Sequence, residues 1–174
     1  MKKILLLFVI IFITNLNSQQ VIYNIDVTNY QDDLFHVTVE VEGLSIENDI
    51  YNLPATVPGT YSNLTFGRFV KSFKAYDKDG NELQSEKIST NQWQIADVDK
   101  LAKLDYDIED TFDTEIESNK VIPMAGTGIN NEFIVLNTFA VLGYFEGLQT
   151  NALKVKLDYN PDWIAGTALL IDAN

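Results

Sequence analysis

The 174-residue chain contains no cysteine and a single histidine, His36. The first absence excludes disulfide staples, a thiolate nucleophile and anchoring through a lipidated cysteine, so the fold must rest on its core. The second excludes the common zinc-hydrolase site, which takes two histidines one helical turn apart with a glutamate between them. A serine triad also needs an imidazole beside its nucleophile, and no G-x-S-x-G elbow occurs. No segment shows the 3.6-residue apolar period of an amphipathic helix of three turns. Basic residues are few, 12 against 25 acidic, for a net charge of −13. Such a surface repels phosphate backbones and anionic headgroups, which disfavours nucleic acid and membrane surfaces as partners.

The N-terminus is a separate matter. Lys2 and Lys3 precede an unbroken apolar run over residues 4–13, and small polar residues follow up to Ser18. This three-part pattern predicts a secretory signal peptide over residues 1–18, with an exported product, periplasmic or extracellular. The run is about half the roughly 20 apolar residues that span a bilayer, so no membrane span is expected after its removal. Setting aside Lys2 and Lys3 takes the basic count from 12 to 10 against 25 acids, a net charge of −15. Residues 19–174 have a length suited to one domain.

What is present is β pattern. Val21, Tyr23, Ile25 and Val27 alternate with Ile22, Asn24, Asp26 and Thr28. Phe35, Val37, Val39 and Val41 do so more cleanly, with His36, Thr38 and Glu40 on the opposite face. That period of two marks strands with one buried face. Further strands are expected over residues 69–77, 81–88, 91–97, 103–110, 131–137 and 152–159. Asp79-Gly80 between two extended runs predicts a hairpin turn. The expected fold is all-β, a two-sheet β-sandwich-like domain of mostly antiparallel strands. Residues 110–131 are the least regular stretch and read as a long loop, a common seat of function. The C-terminus is still apolar at residues 160–174, which suggests a domain taken from a longer polypeptide.

The candidates for chemistry are weak. Asp105, Asp107 and Glu109 project from one face of a strand and read as a solvated face rather than a calcium site, and His36 as a surface histidine. "DKDGNE", residues 77–82, lacks the spacing of a calcium loop. "AGTGIN", residues 125–130, lacks the third glycine and the helix of a nucleotide loop. Trp93, Tyr106, Tyr144, Phe145 and Trp163 offer either a sugar-stacking platform or core, and core is the commoner use in such folds. No catalytic or metal-binding residue is assigned.

One ordered set of motifs is more specific. Leu53-Pro54, Pro58-Gly59-Thr60-Tyr61, Phe66-Gly67-Arg68 and the Phe73-to-Gly80 turn are followed by Trp93 and then Tyr106-Asp107-Ile108. "IPMAGTGINNEFIVLNTFAVLGYFEG" and the closing "NPDWIAGTALL" complete it. The set resembles the N-terminal domain of the glycyl aminopeptidase family of zinc metallopeptidases (metallopeptidase family 61) over nearly all of residues 19–174. The resemblance implies a noncatalytic β domain ahead of a thermolysin-like zinc domain in the same polypeptide, often with a PDZ domain after it. Zinc then belongs to that absent catalytic domain, and peptide substrate is met only indirectly.

Physically, Pro54 and Pro58 fix φ and withhold amide donors, Gly59 permits a tight turn, and Phe66, Phe69, Val70 and Phe73 insert apolar area. The segment reads as a stiff corner feeding a packed strand, with Arg68 available for an ion pair between domains or on the surface. Met124, Ala125, Gly126 and Thr127, in the loop over residues 122–130, are the candidate contact with substrate or the catalytic domain. The alternative is a freestanding secreted β-sandwich module that binds a glycan or protein.

Overall fold

Alternation along three long strands decides the architecture. In the computed structural model, which describes residues 19–172, strands β1 (Gln20–Asp26) and β2 (Leu34–Glu42) bury every second side chain, and β8 (Leu101–Glu109) does so from Leu104 onward. Between β2 and β8 come β3 (Ile50–Asn52), β4 (Val70–Asp77), β5 (Glu82–Leu83), β6 (Ser85–Ser89) and β7 (Gln92–Ile95). After β8 come β9 (Gly128–Ile129), β10 (Ile134–Val135), a single helical turn α1 (Thr138–Val141), β11 (Tyr144–Phe145) and β12 (Lys154–Asp158). The proposed signal peptide lies outside the described residues.

Strands β12-β1-β2-β8-β4-β5 form one sheet, β11-β3-β7-β6 a second, and β9 and β10 a small hairpin. Every pairing is antiparallel except β1 with β12, which runs parallel. That exception brings Ile22 opposite Lys154 across most of the chain's length. Of the expected strands, residues 131–137 yield only the two residues of β10, because Asn130 turns the chain there by accepting from the amides of Glu132 and Phe133.

The inward rows of the two larger sheets meet through aromatic rings. Phe73 on β4 stacks on Trp93 of β7 at 4.9 Å, and Tyr51 on β3 lies 5.9 Å from Tyr106 on β8. Full burial of such a side chain is worth roughly 1.5–3 kcal/mol, and Tyr23, Tyr51, Tyr106, Phe35, Phe66, Phe69 and Phe145 are all fully buried.

The proline corner is architectural. The amide of Thr60 donates to the Val57 carbonyl, closing a turn in which Gly59 has φ +87°. Ala55 O then accepts from both Leu64 and Thr65 amides, folding the corner back on itself. The residues that follow, Phe66–Phe69, make a single 3-10 turn that buries both phenylalanines. At the β4–β5 turn Asp77 Oδ1 accepts from the amides of Asp79 and Asn81, each at 2.9 Å, and Gly80 takes φ +82°. The Asp77 carboxylate is thereby spent on its own turn.

Three buried tyrosine hydroxyls hold the segment between α1 and β11. Tyr23 donates to the Gly143 carbonyl at 2.6 Å and Tyr106 to the Val141 carbonyl at 2.8 Å. Tyr51 accepts from the Gly143 amide and lies 3.2 Å from the Tyr106 hydroxyl. Each hydroxyl has one proton, and that of Tyr106 is committed to Val141, so Tyr51 donates to Tyr106. Gly143 can sit there only without a side chain, since a Cβ would lie 2.5 Å from both the Asn52 carbonyl and the Tyr51 ring. Gly143→Ala should destabilise the chain by about 1–3 kcal/mol through overpacking, read as a lower urea midpoint. An unchanged midpoint would show that the close approach is not needed.

Candidate functional site

The segment after β8 gathers the features that the sheets do not explain. Residues Pro123–Ala125 form one 3-10 turn with proline at its start, closed by the Ala125 amide on the Ile122 carbonyl at 2.9 Å. Of the four candidate contact residues, Ala125, Gly126 and Thr127 are buried, while Met124 is 78% exposed. Of these four, Met124 is the one placed to make such a contact. On the same segment Phe112, Ile122, Phe133 and Val135 are also exposed. Val135 stands opposite Gly128 in the β9–β10 hairpin, and a Cβ on Gly128 would lie 2.4 Å from the Phe112 ring. Phe112 and Val135 thus flank one glycine and put an apolar surface there.

Straps hold this surface to the end of β8. The Thr111 amide donates to the Thr127 carbonyl at 3.1 Å, and the Thr127 amide donates to Thr111 Oγ1 at 2.9 Å. Asp110, only 1% exposed, accepts from the Phe112 amide through Oδ1 and from the Ile129 amide through Oδ2, at 3.1 and 2.7 Å. Carboxylate oxygens of Asp33, Asp110 and Asp113 all lie within 4.8 Å of one another. Burial, with the neighbouring acids adding to it, pushes Asp110 up to about 6. Sequence reasoning missed this trio. The available signal was that the inward alternation of Leu104, Tyr106 and Ile108 continues onto Asp110.

His36 is not the isolated surface histidine expected from its place on the outward face of β2. Its Nδ1 is 2.7 Å from Asp107 and its Nε2 is 2.9 Å from Asp32. Ser72 donates to the other oxygen of Asp107. Burial pulls the imidazole down, but the two carboxylates outweigh it and the net shift is upward. Nor are the β8 carboxylates merely solvated. Asp105 meets Thr38 and Lys103, and Glu109 meets Lys71. The reason is register: β2 lies between β1 and β8 and sets His36 opposite Asp107 and Thr38 opposite Asp105. Ser72 hydrogen-bonds the carboxylate instead of the imidazole, so no nucleophile–base pair forms.

Arg68 departs from the expected ion pair. Its guanidinium donates to the backbone carbonyls of Ser118 and Asn119, tying the long segment to the corner. Of the five aromatics weighed as a stacking platform, Trp93, Tyr106 and Phe145 are core, and Trp163 packs on Tyr30 at 5.1 Å. Tyr144 is partly exposed. The donor set does not suit zinc, since both nitrogens of the only histidine are engaged by carboxylates.

The model of the peptidase M61 N-terminal domain matches residues 22–174. The chain belongs to that family. The M61 domain also resembles a solved aminopeptidase N family protein from Idiomarina loihiensis, with a TM-score of 0.68 and 20% identity. The match covers 82% of this chain and 22% of that one, so it bears on the fold and spans less than a quarter of the relative. No curated protein matches this chain. No helix among its described residues is long and apolar enough to cross a membrane.

The His36 network gives the M61 domain a pH dependence of definite sign. A histidine whose folded pKa is raised contributes stability that is complete below its unfolded value near 6.5 and is lost as pH rises through the folded value. Melting temperature should fall from pH 6 to pH 8.5, and His36→Gln should flatten that slope. An identical slope in the variant would remove His36 from the account.

Proposed function

We propose that the chain is the accessory N-terminal β domain of an exported zinc aminopeptidase-like metallopeptidase, a sandwich-like scaffold that packs against a catalytic domain of the same polypeptide and shapes its cleft. The reading is supported first by membership of the M61 N-terminal domain family over residues 22–174. The fold it shares with part of a much longer aminopeptidase N family protein agrees with it. Zinc and bond cleavage belong to the partner domain.

One observation carries the docking part of the reading: Met124, Phe112, Ile122, Phe133 and Val135, all on the segment after β8, are exposed on a chain of net charge −13. Large apolar side chains left exposed on so acidic a chain mark a surface that is covered in the working assembly. A glycan platform has less behind it, because three of its five aromatics face the core.

Two experiments test this. The reading frame that encodes the parent protein should contain His-Glu-x-x-His after these residues, and a frame without it overturns the metallopeptidase assignment. In the full-length protein Met124→Asp should lower kcat/KM for peptide cleavage by about ten-fold, roughly the 1.4 kcal/mol lost when one apolar anchor is replaced by a charge. Soluble yield should be unaffected. Unchanged turnover would reject Met124 as a contact.

A further inference from the structure

The segment carrying Met124 is fastened at Asp110, and the fastening is made of three like charges. The Asp110 carboxylate reaches in two directions, to the Phe112 amide on its own side and to the Ile129 amide of β9, 19 residues along. Its backbone carbonyl accepts a third bond from the Thr114 hydroxyl. Both sides of the loop therefore end on one residue. Facing that residue are Asp113 and Asp33, which carry the same charge.

The wider surroundings offset this only in part. Glu109 on β8 is paired with Lys71 of β4, and Asp32 is engaged by His36. The guanidinium of Arg68, on the 3-10 turn before β4, is directed to the Ser118 and Asn119 carbonyls. An open depression of about 630 Å³ is lined by Asp33, Arg68, Lys71, Glu109, Asp113 and Glu115. It contains four acids against two cations, and none of the described ion pairs involves Asp33, Asp110 or Asp113.

We propose that Asp33, Asp110 and Asp113 form a proton-operated clasp on the Met124 segment, tight when one proton is shared among the carboxylates and loose when all three are ionised. A protonated Asp110 still has lone pairs for the Phe112 and Ile129 amides, and its hydroxyl donates to Asp113. The repulsion then becomes a hydrogen bond. When the proton leaves, three negative charges within 4.8 Å push the end of β8 and the β2 approach apart. The same two amides are then held by a strained cluster. The sign follows from linkage: Asp110 and Asp33 are both raised, chiefly by burial, so the stability they contribute is complete below the ordinary carboxylate range and is lost as pH climbs through their folded values. For Asp110 that value is about 6.

The clasp stands on this geometry alone. Its consequence for peptide cleavage, a contact loop better ordered in mild acid, rests on the docking reading above. The test therefore uses no catalysis. Amide hydrogen exchange of the chain, corrected for the intrinsic pH dependence of exchange, should show protection at Ile129 falling about ten-fold between pH 5 and pH 7.5. The ¹³C signal of the Asp110 carboxyl should titrate near the same midpoint of about 6. In Asp33→Asn with Asp113→Asn the fall should shrink, leaving only the part that comes from the burial of Asp110 itself. Both substitutions keep size and polarity, and asparagine tolerates the left-handed φ of +62° at position 33. His36→Gln should leave the fall in place. A wild-type Ile129 amide equally protected at both pH values overturns the clasp, as does an Asp110 titration in the ordinary range near 4. The same pH dependence in the double variant overturns it too.

Discussion

The interaction on which the rest of the molecule depends is the set of three tyrosine hydroxyls buried between the sheets. Tyr23, Tyr106 and Tyr51 come from β1, β8 and β3, and all converge on the backbone of residues 141–143. That backbone crosses the core, where water cannot reach it. An unsatisfied buried carbonyl or amide costs about 1–3 kcal/mol, and the hydroxyls supply partners for two carbonyls and one amide at once. The Tyr51 ring also provides apolar contact between the sheets, against Tyr106 and Phe73. With no cysteine to close the structure, cohesion comes from this joint use of area and hydrogen bonding. Neither purely apolar residues nor exposed polar ones would satisfy the crossing segment.

Much of the sheet was legible because its rules are local. Val21, Tyr23 and Ile25 face in for the same reason that Phe35, Val37 and Val39 do, and the alternation is written in neighbouring letters. The Asp79-Gly80 turn and the proline corner were legible too, since glycine and proline act on their own backbone. What escaped the sequence was set by partners far along the chain. The parallel pairing of β12 with β1 joins Lys154 to Ile22. His36 looks unremarkable until β8 places Asp107 against it, 71 residues away. Arg68 was read as a charge seeking a charge, but the nearest acceptors are carbonyls contributed by residues 118 and 119.

The candidate site divides along the same line. The loop was visible as the irregular stretch of the chain, and Met124 stands out among small residues. Which of its residues reach solvent was not visible. Thr127 looks like a polar loop residue, yet it is 1% exposed because its amide and carbonyl both pair with Thr111. In the sequence Gly126 and Gly128 read as glycines that let the backbone bend tightly. Their role is close packing, since each lies against the Phe112 ring.

Asp110 shows why an acid should be buried at the end of an otherwise regular strand. Ile108 points inward, Glu109 outward, and the next residue must point inward again. At this position the sheet runs out, because β2 begins at Leu34, which pairs with Glu109. Beyond it the Thr111 amide reaches the Thr127 carbonyl, but the amides of Phe112 and Ile129 go to a side chain. A carboxylate at the inward position substitutes for that strand, accepting from Phe112 and Ile129 with its two oxygens. An asparagine offers only one acceptor oxygen, and an apolar residue offers none. The substitute brings a charge with it into a place shared with Asp33 and Asp113. The device that fastens the loop and the strain within it therefore have one origin, a side chain doing the work of a missing strand.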